Sequence, residues 1–140
     1  MPGCYFTVSG PKFDVDTFLS ESRLQPSAVF YRGQPLKISK GKLRKTSGFS
    51  VDLHRPRVFG NLRGQIPKAL QFLKKEQPEL ARLAVFPGAA ELWLVFPCVR
   101  AAGTYGTENF PPELVTLAGS CRIGIRLSFY PDDDEIPDKT

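Results

Sequence analysis

Apolar and polar residues alternate one for one along three stretches of the chain, and that two-residue period predicts half-buried strands. In residues 4–9, Cys4, Phe6 and Val8 fall on one side and Tyr5, Thr7 and Ser9 on the other, before Gly10 and Pro11 turn the chain. Residues 49–54 repeat the pattern, with Phe49, Val51 and Leu53 against Ser50, Asp52 and His54, and Arg55-Pro56-Arg57 ends it. Residues 122–130 carry it furthest: Ile123, Ile125, Leu127 and Phe129 oppose Arg122, Gly124, Arg126, Ser128 and Tyr130. A further strand at residues 90–97 is apolar on both sides through Leu92, Trp93, Leu94, Val95 and Phe96, which predicts a central position. Pro97 is expected to stop its hydrogen bonding. Residues 28–31, bracketed by Gln25-Pro26-Ser27 and Arg32-Gly33-Gln34-Pro35, read as a short edge strand.

Elsewhere the apolar spacing lengthens to three and four. Leu62, Ile66, Ala69, Leu70 and Leu73 form one stripe with Arg63, Lys68, Lys74 and Lys75 between them, an amphipathic helix. Pro67 lacks an N–H, so the regular helix is placed at residues 66–76. Asp14 stands as a cap before Val15, Phe18 and Leu19, predicting a short helix to about Ser22. Pro78 opens another short helical turn through Leu83, and Pro111, Pro112 and Glu113 start a helix that buries Leu114, Leu117 and Ala118 and ends at Gly119. Strands that alternate this strictly need helices on one side only. The expected fold is α+β, two layers, with a four- to five-stranded, mostly antiparallel sheet and two to three helices on one face.

Length and composition fit that picture: 140 residues, 41% hydrophobic and 24% charged, are those of an ordinary globule. A chain of this size buries roughly 68% of its unfolded surface, enough for a core without staples. One domain is expected over residues 1–131. The charge of +5 is unevenly spread. Residues 132–140 hold Asp132, Asp133, Asp134, Glu135 and Asp138 against Lys139; setting these aside leaves 18 basic and 9 acidic residues, a net of +9 on the body. The acidic end is read as a flexible, solvated tail, and the basic body as favouring anionic partners. No apolar run approaches the about 18 residues that span a bilayer, and the first residues lack a signal pattern, so a cytoplasmic protein with no membrane partner is expected. The three cysteines, Cys4, Cys98 and Cys121, lack CxxC spacing and read as reduced thiols without a metal.

Candidate chemistry lies on the polar side of the strands. If every apolar side turns to the helices, Tyr5, His54, Trp93, Arg122, Arg126 and Tyr130 share one surface, the aromatic and arginine mixture common in interface hot spots. They are the expected partner-binding residues, for another protein or a second copy; a long loop resting on them is the blander use. Catalysis is not expected. Asp52 and His54 share that face with Ser128, but two residues along a strand span about 7 Å, too far for a carboxylate to orient an imidazole. No nucleophile elbow, Walker loop, HExxH or dinucleotide fingerprint occurs, and no cofactor is expected. The alternative function is nucleic-acid binding through Lys37, Lys40, Lys42, Arg44 and Lys45, a cationic run without an interleaved aromatic residue.

The strand ending at Gly10, Asp14 before a short helix, Leu24-Gln25-Pro26-Ser27, Arg32-Gly33-Gln34-Pro35, Ser47-Gly48-Phe49, Gln65-Ile66 with Ala69-Leu70, Pro112-Glu113-Leu114 and Ser128-Phe129-Tyr130 together resemble a bacterial family of small uncharacterised domains, the domain of unknown function 4279. The resemblance spans residues 4–130 and implies a bacterial intracellular domain with no assigned activity, cofactor or catalytic residue. By analogy it implies an immunity-like role against a toxin, and the basic body would suit an acidic toxin.

Overall fold

In the computed structural model the described residues are 3–36, 41–54, 62–100 and 109–131, of which residues 99, 100, 130 and 131 are described by their backbone alone. They form strand β1 (Tyr5–Gly10), helix α1 (Val15–Ser20), β2 (Ala28–Phe30), β3 (Ser47–Asp52), α2 (Leu62–Lys75), α3 (Gln77–Ala84), β4 (Glu91–Arg100), α4 (Pro112–Ser120) and β5 (Gly124–Pro131). The sheet order is β2-β3-β1-β4-β5, antiparallel throughout except for the parallel pair β4 and β5. The helices lie on one face, giving the expected two-layer α+β arrangement. The described helices number four rather than two to three, because the turn after Pro78 is an eight-residue helix.

The alternation of β1 is reproduced residue by residue: Phe6 and Val8 are buried and Tyr5, Thr7 and Ser9 half-buried. Phe6, Val8, Phe49, Leu92, Leu94 and Phe96 give the sheet its inner face, on which Val15 and Phe18 of α1, Leu62, Ala69 and Leu73 of α2, Leu80 and Leu83 of α3, and Leu114 and Ala118 of α4 form one core cluster. Aromatic rings carry much of it. Phe18 stacks on Phe49 with centroids 5.9 Å apart, and Phe6 meets Phe72 of α2 at 5.7 Å. The cap of α1 is as expected: Asp14 accepts the Thr17 backbone N–H at 3.1 Å and its hydroxyl at 2.7 Å, and these bonds lower the Asp14 pKa.

Among the boundaries that differ from expectation, three have a physical reason in the contacts. The helix α2 begins at Leu62 and runs through Pro67. Its buried Gln65 ties it down: Nε2 donates to the Pro97 carbonyl at 2.9 Å, and the Gln65 backbone carbonyl accepts the Cys4 thiol at 3.6 Å. Strand β4 likewise runs past Pro97 to Arg100, because β1 pairs with it only as far as Tyr5↔Val95 while β5 continues to Arg100↔Pro131. Beyond Val95 one side of β4 needs no donor, and a proline there costs no ladder bond. Strand β5, finally, starts at Gly124 and not at Arg122. The Arg122 N–H bonds the Gly119 carbonyl and the Ile123 N–H the Ala118 carbonyl, the paired bonds of a Schellman ending, with Arg122 left-handed at φ 59°. The expected tail, residues 132–140, lies outside the described residues.

Cys4, Cys98 and Cys121 are all buried, and no two of them are joined in a disulfide. Burial pushes the Cys4 thiol up to about 12. The neutral thiol is therefore the form the fold favours: its contribution is complete below the ordinary thiol pKa and is lost as pH rises from about 9 toward about 12. Urea unfolding across that window is expected to show a steeper alkaline loss of stability for the wild type than for Cys4→Ala, by up to about 1.4 kcal/mol per pH unit. Equal slopes would refute the assignment.

Candidate functional site

The strand registers lay out the outer face of the sheet in rows. One row, across β3, β1, β4 and β5, reads Asp52, Tyr5, Val95, Arg126; the next reads Ser50, Thr7, Trp93, Gly124. A third runs from Phe30 of β2 through Gly48 and Ser9 to Glu91. The middle is polar and internally bonded: the Thr7 hydroxyl donates to the Phe49 carbonyl at 3.3 Å and accepts from the Ser50 hydroxyl at 3.2 Å. Val95, in register between Tyr5 and Arg126, is only 2% exposed, so the face is not uniformly wet.

Each side of this face carries an aromatic ring seated over a glycine and topped by a guanidinium. Trp93 projects from β4, an interior strand, and a Cβ on its register partner Gly124 would come within 2.5 Å of the indole ring. The missing side chain is thus the seat on which the ring lies flat. Arg126, two residues further along β5, holds its guanidinium 4.3 Å from the ring centroid, and the indole N–H reaches the Glu91 carboxylate at 3.4 Å. On the opposite side, the Phe30 ring lies 2.8 Å from where a Gly48 Cβ would stand, with the Arg44 guanidinium 4.7 Å from its centroid. A cation–π contact contributes about 0.5–1 kcal/mol when exposed and more when dry, so both stacks are partly pre-ordered before any partner arrives.

Of the expected partner-binding residues, the structure brings Tyr5, Trp93 and Arg126 together in adjacent rows. Two others are corrected. Arg122 precedes β5, and its left-handed backbone sends Nη1 to the Ala84 carbonyl at 2.9 Å, at the C-terminus of α3 in the helix layer. His54 follows the end of β3, and its Nε2 stands 3.5 Å from where a Cβ on Gly64 of α2 would be; it belongs to the helix side as well. Tyr130 pairs through its backbone with Val99, and its side chain is outside the described residues. In the cationic run, Lys37 and Lys40 also lie outside them; Lys42 and Lys45 are exposed, while Arg44 is half-buried on Phe30.

Sequence reasoning missed Phe30, whose partners are set by the β2–β3 register. A signal was present at the other stack: Gly124 interrupts the polar side of a strand opposite the strand that holds the one tryptophan. Among the described residues no cluster of His, Cys, Asp and Glu could hold a metal, and no helix is long and apolar enough to cross a membrane. Comparison with family models, curated proteins and solved structures finds no match for this chain.

Proposed function

We propose that the chain is a non-enzymatic, cytoplasmic protein-interaction module that docks an acidic protein surface on the outer face of its sheet. The observation that carries the reading is the Trp93–Arg126 stack. A ring fixed on an interior strand offers apolar contact at little entropic cost, and the exposed guanidinium beside it is in no ion pair among the described residues. The net charge of +9 on residues 1–131 selects for carboxylates at long range. Membership of the 4279 family and an immunity-like role belong to the same proposal. Affinity capture from the source cell, wild type beside Trp93→Ala/Arg126→Ala, tests it. A partner held at low salt by the wild type is expected to be absent from the double variant, whose thermal midpoint is followed in parallel; equal recovery by both proteins overturns the reading.

A second reading, nucleic-acid binding, is supported by a specific arrangement. Arg32, Lys42, Arg44 and Lys45 line a groove of about 850 Å³, and the Phe30 ring, which lines a separate cavity, holds the Arg44 guanidinium in place. Titration with single- and double-stranded oligonucleotides across salt is expected to show affinity falling steeply with salt and weakened by Lys42→Ala/Lys45→Ala. No binding at low salt removes this reading.

A further inference from the structure

The two edges of the sheet are built differently. At one, β2 is only three residues long, a short strand of the kind that resists pairing with another chain. At the other, β5 runs for eight residues, and among the described residues no strand pairs with its outer side. It has no proline before Pro131 and a single charge, Arg126. Its apolar stripe is also incompletely covered. Leu92, Leu94, Phe96 and Cys98 on the inner face of β4 are at most 4% exposed, whereas none of Ile125, Leu127 and Phe129 on the same face of β5 is buried, and Phe129 is 50% exposed. A strand patterned for burial therefore stands where one more neighbour would complete its burial.

We propose that β5 pairs with β5 of a second copy of this chain, antiparallel about a two-fold axis normal to the sheet, so that two five-stranded sheets become one with the helices of both copies on the same face. In such a pair, facing residues share a face of the sheet, so the axis passes through a residue and not between two. An axis at Arg126 sets two like charges directly opposite, which is unfavourable. An axis at Leu127 sets Arg126 opposite Ser128 of the second copy and Ile125 opposite its Phe129, and pairs residues 124–130 without involving Pro131. That register covers the exposed ring and moves the two Arg126 side chains from directly opposite to diagonal positions, about 7–8 Å apart at their backbones. The proposal is independent of the docking face, since it uses the backbone edge; the dimer would set two Trp93–Arg126 stacks side by side on one continuous surface.

The register makes a cross-linking test decisive. Arg126→Cys and Ser128→Cys, each alone, place the new thiol opposite a serine or an arginine; only a mixture of the two sets cysteine opposite cysteine, with Cβ atoms about 5 Å apart. The native cysteines are buried and give little background. Sedimentation of the wild type from micromolar to submillimolar concentration is expected to show a monomer–dimer equilibrium, Phe129→Lys to weaken it by about tenfold, and mild oxidation to join the mixed variants several-fold faster than either alone. A monomeric wild type at every concentration overturns the proposal, including the case in which β5 instead accepts a strand from a different protein. Cross-linking no faster in the mixture than in the single variants overturns it too, by showing that any dimer uses another surface.

Discussion

Gly10→Ala is expected to cost more than about 4 kcal/mol, a large part of the roughly 5–15 kcal/mol by which a domain of ordinary stability is held folded. Gly10 ends β1 where the turn before β4 crosses it, and a Cβ there would stand 1.8 Å from the Gly88 carbonyl oxygen and 3.1 Å from the Ala90 nitrogen. Those are backbone atoms, with no flexible end to move aside. Gly88 is itself left-handed at φ 89°, and its own Cβ would stand 2.4 Å from the Lys12 carbonyl oxygen, so the two turns interlock from both sides. Relief would require the turn to withdraw from β1, breaking the bond from the Ala90 N–H to the Ser9 carbonyl and parting the Phe13 ring from Phe86. Two controls separate this from a general glycine effect. Gly33→Ala meets nothing within 4 Å and bears only the strain of its left-handed backbone, about 1–2 kcal/mol. Gly119→Ala, in the last turn of α4 with open space around it, is expected to be neutral or stabilising by up to about 1 kcal/mol. Urea midpoints of the three variants give the comparison; a Gly10→Ala midpoint close to that of Gly33→Ala would refute the interlock.

The close crossing at Gly10 was not legible in the sequence, where Gly10-Pro11 reads only as a turn. The legible part was local. Alternation assigned the inner and outer faces correctly at residues 4–9 and, within 49–54, up to the end of β3 at Asp52, because one face of each strand is buried and a slip of one residue would invert it. The order of strands and the parallel β4–β5 pair depend on contacts far apart in the chain, and no local period encodes them. At the candidate site the same limit appears at strand ends. Arg122 and His54 have the parity of the outer face, yet Arg122 lies before the first regular residue of β5 and His54 after the last of β3, where parity stops determining direction. For Arg122 the misleading signal was Gly119, taken as the helix terminator; the left-handed position falls three residues later, on an arginine whose side chain bonds the end of α3. Pro97 misled in the opposite way, because its missing donor matters only on a side of β4 where β1 has already ended.

Phe18→Ala is expected to destabilise the fold by about 3–5 kcal/mol, toward the upper end of the range for a buried phenylalanine. The ring is wholly buried, stacks on Phe49 at 5.9 Å, meets Phe86 edge-on at 5.2 Å and Phe13 at 6.3 Å, and carries the Arg82 guanidinium 4.2 Å from its centroid. The helix α1 has six residues and cannot persist on propensity alone, so Phe18 and Val15 are what hold it to the sheet. Leucine at the same position fills much of the volume and should cost roughly a third to a half as much. The role of Arg82 separates from that of the cavity by a double-mutant cycle. Arg82 also bonds the Phe18 carbonyl at 3.4 Å and pairs with Glu79 and Glu21, and its side chain is 31% exposed. Phe18→Ala and Arg82→Ala should therefore be coupled by about 0.5–2 kcal/mol, the span of a cation–π contact from exposed to dry. Hydrogen exchange gives the local readout: in Phe18→Ala the amides of α1 should exchange well before those of β1 and β4. If α1 instead keeps the protection of the sheet, its anchorage does not depend on Phe18 and the aromatic cluster is not what fixes the first helix.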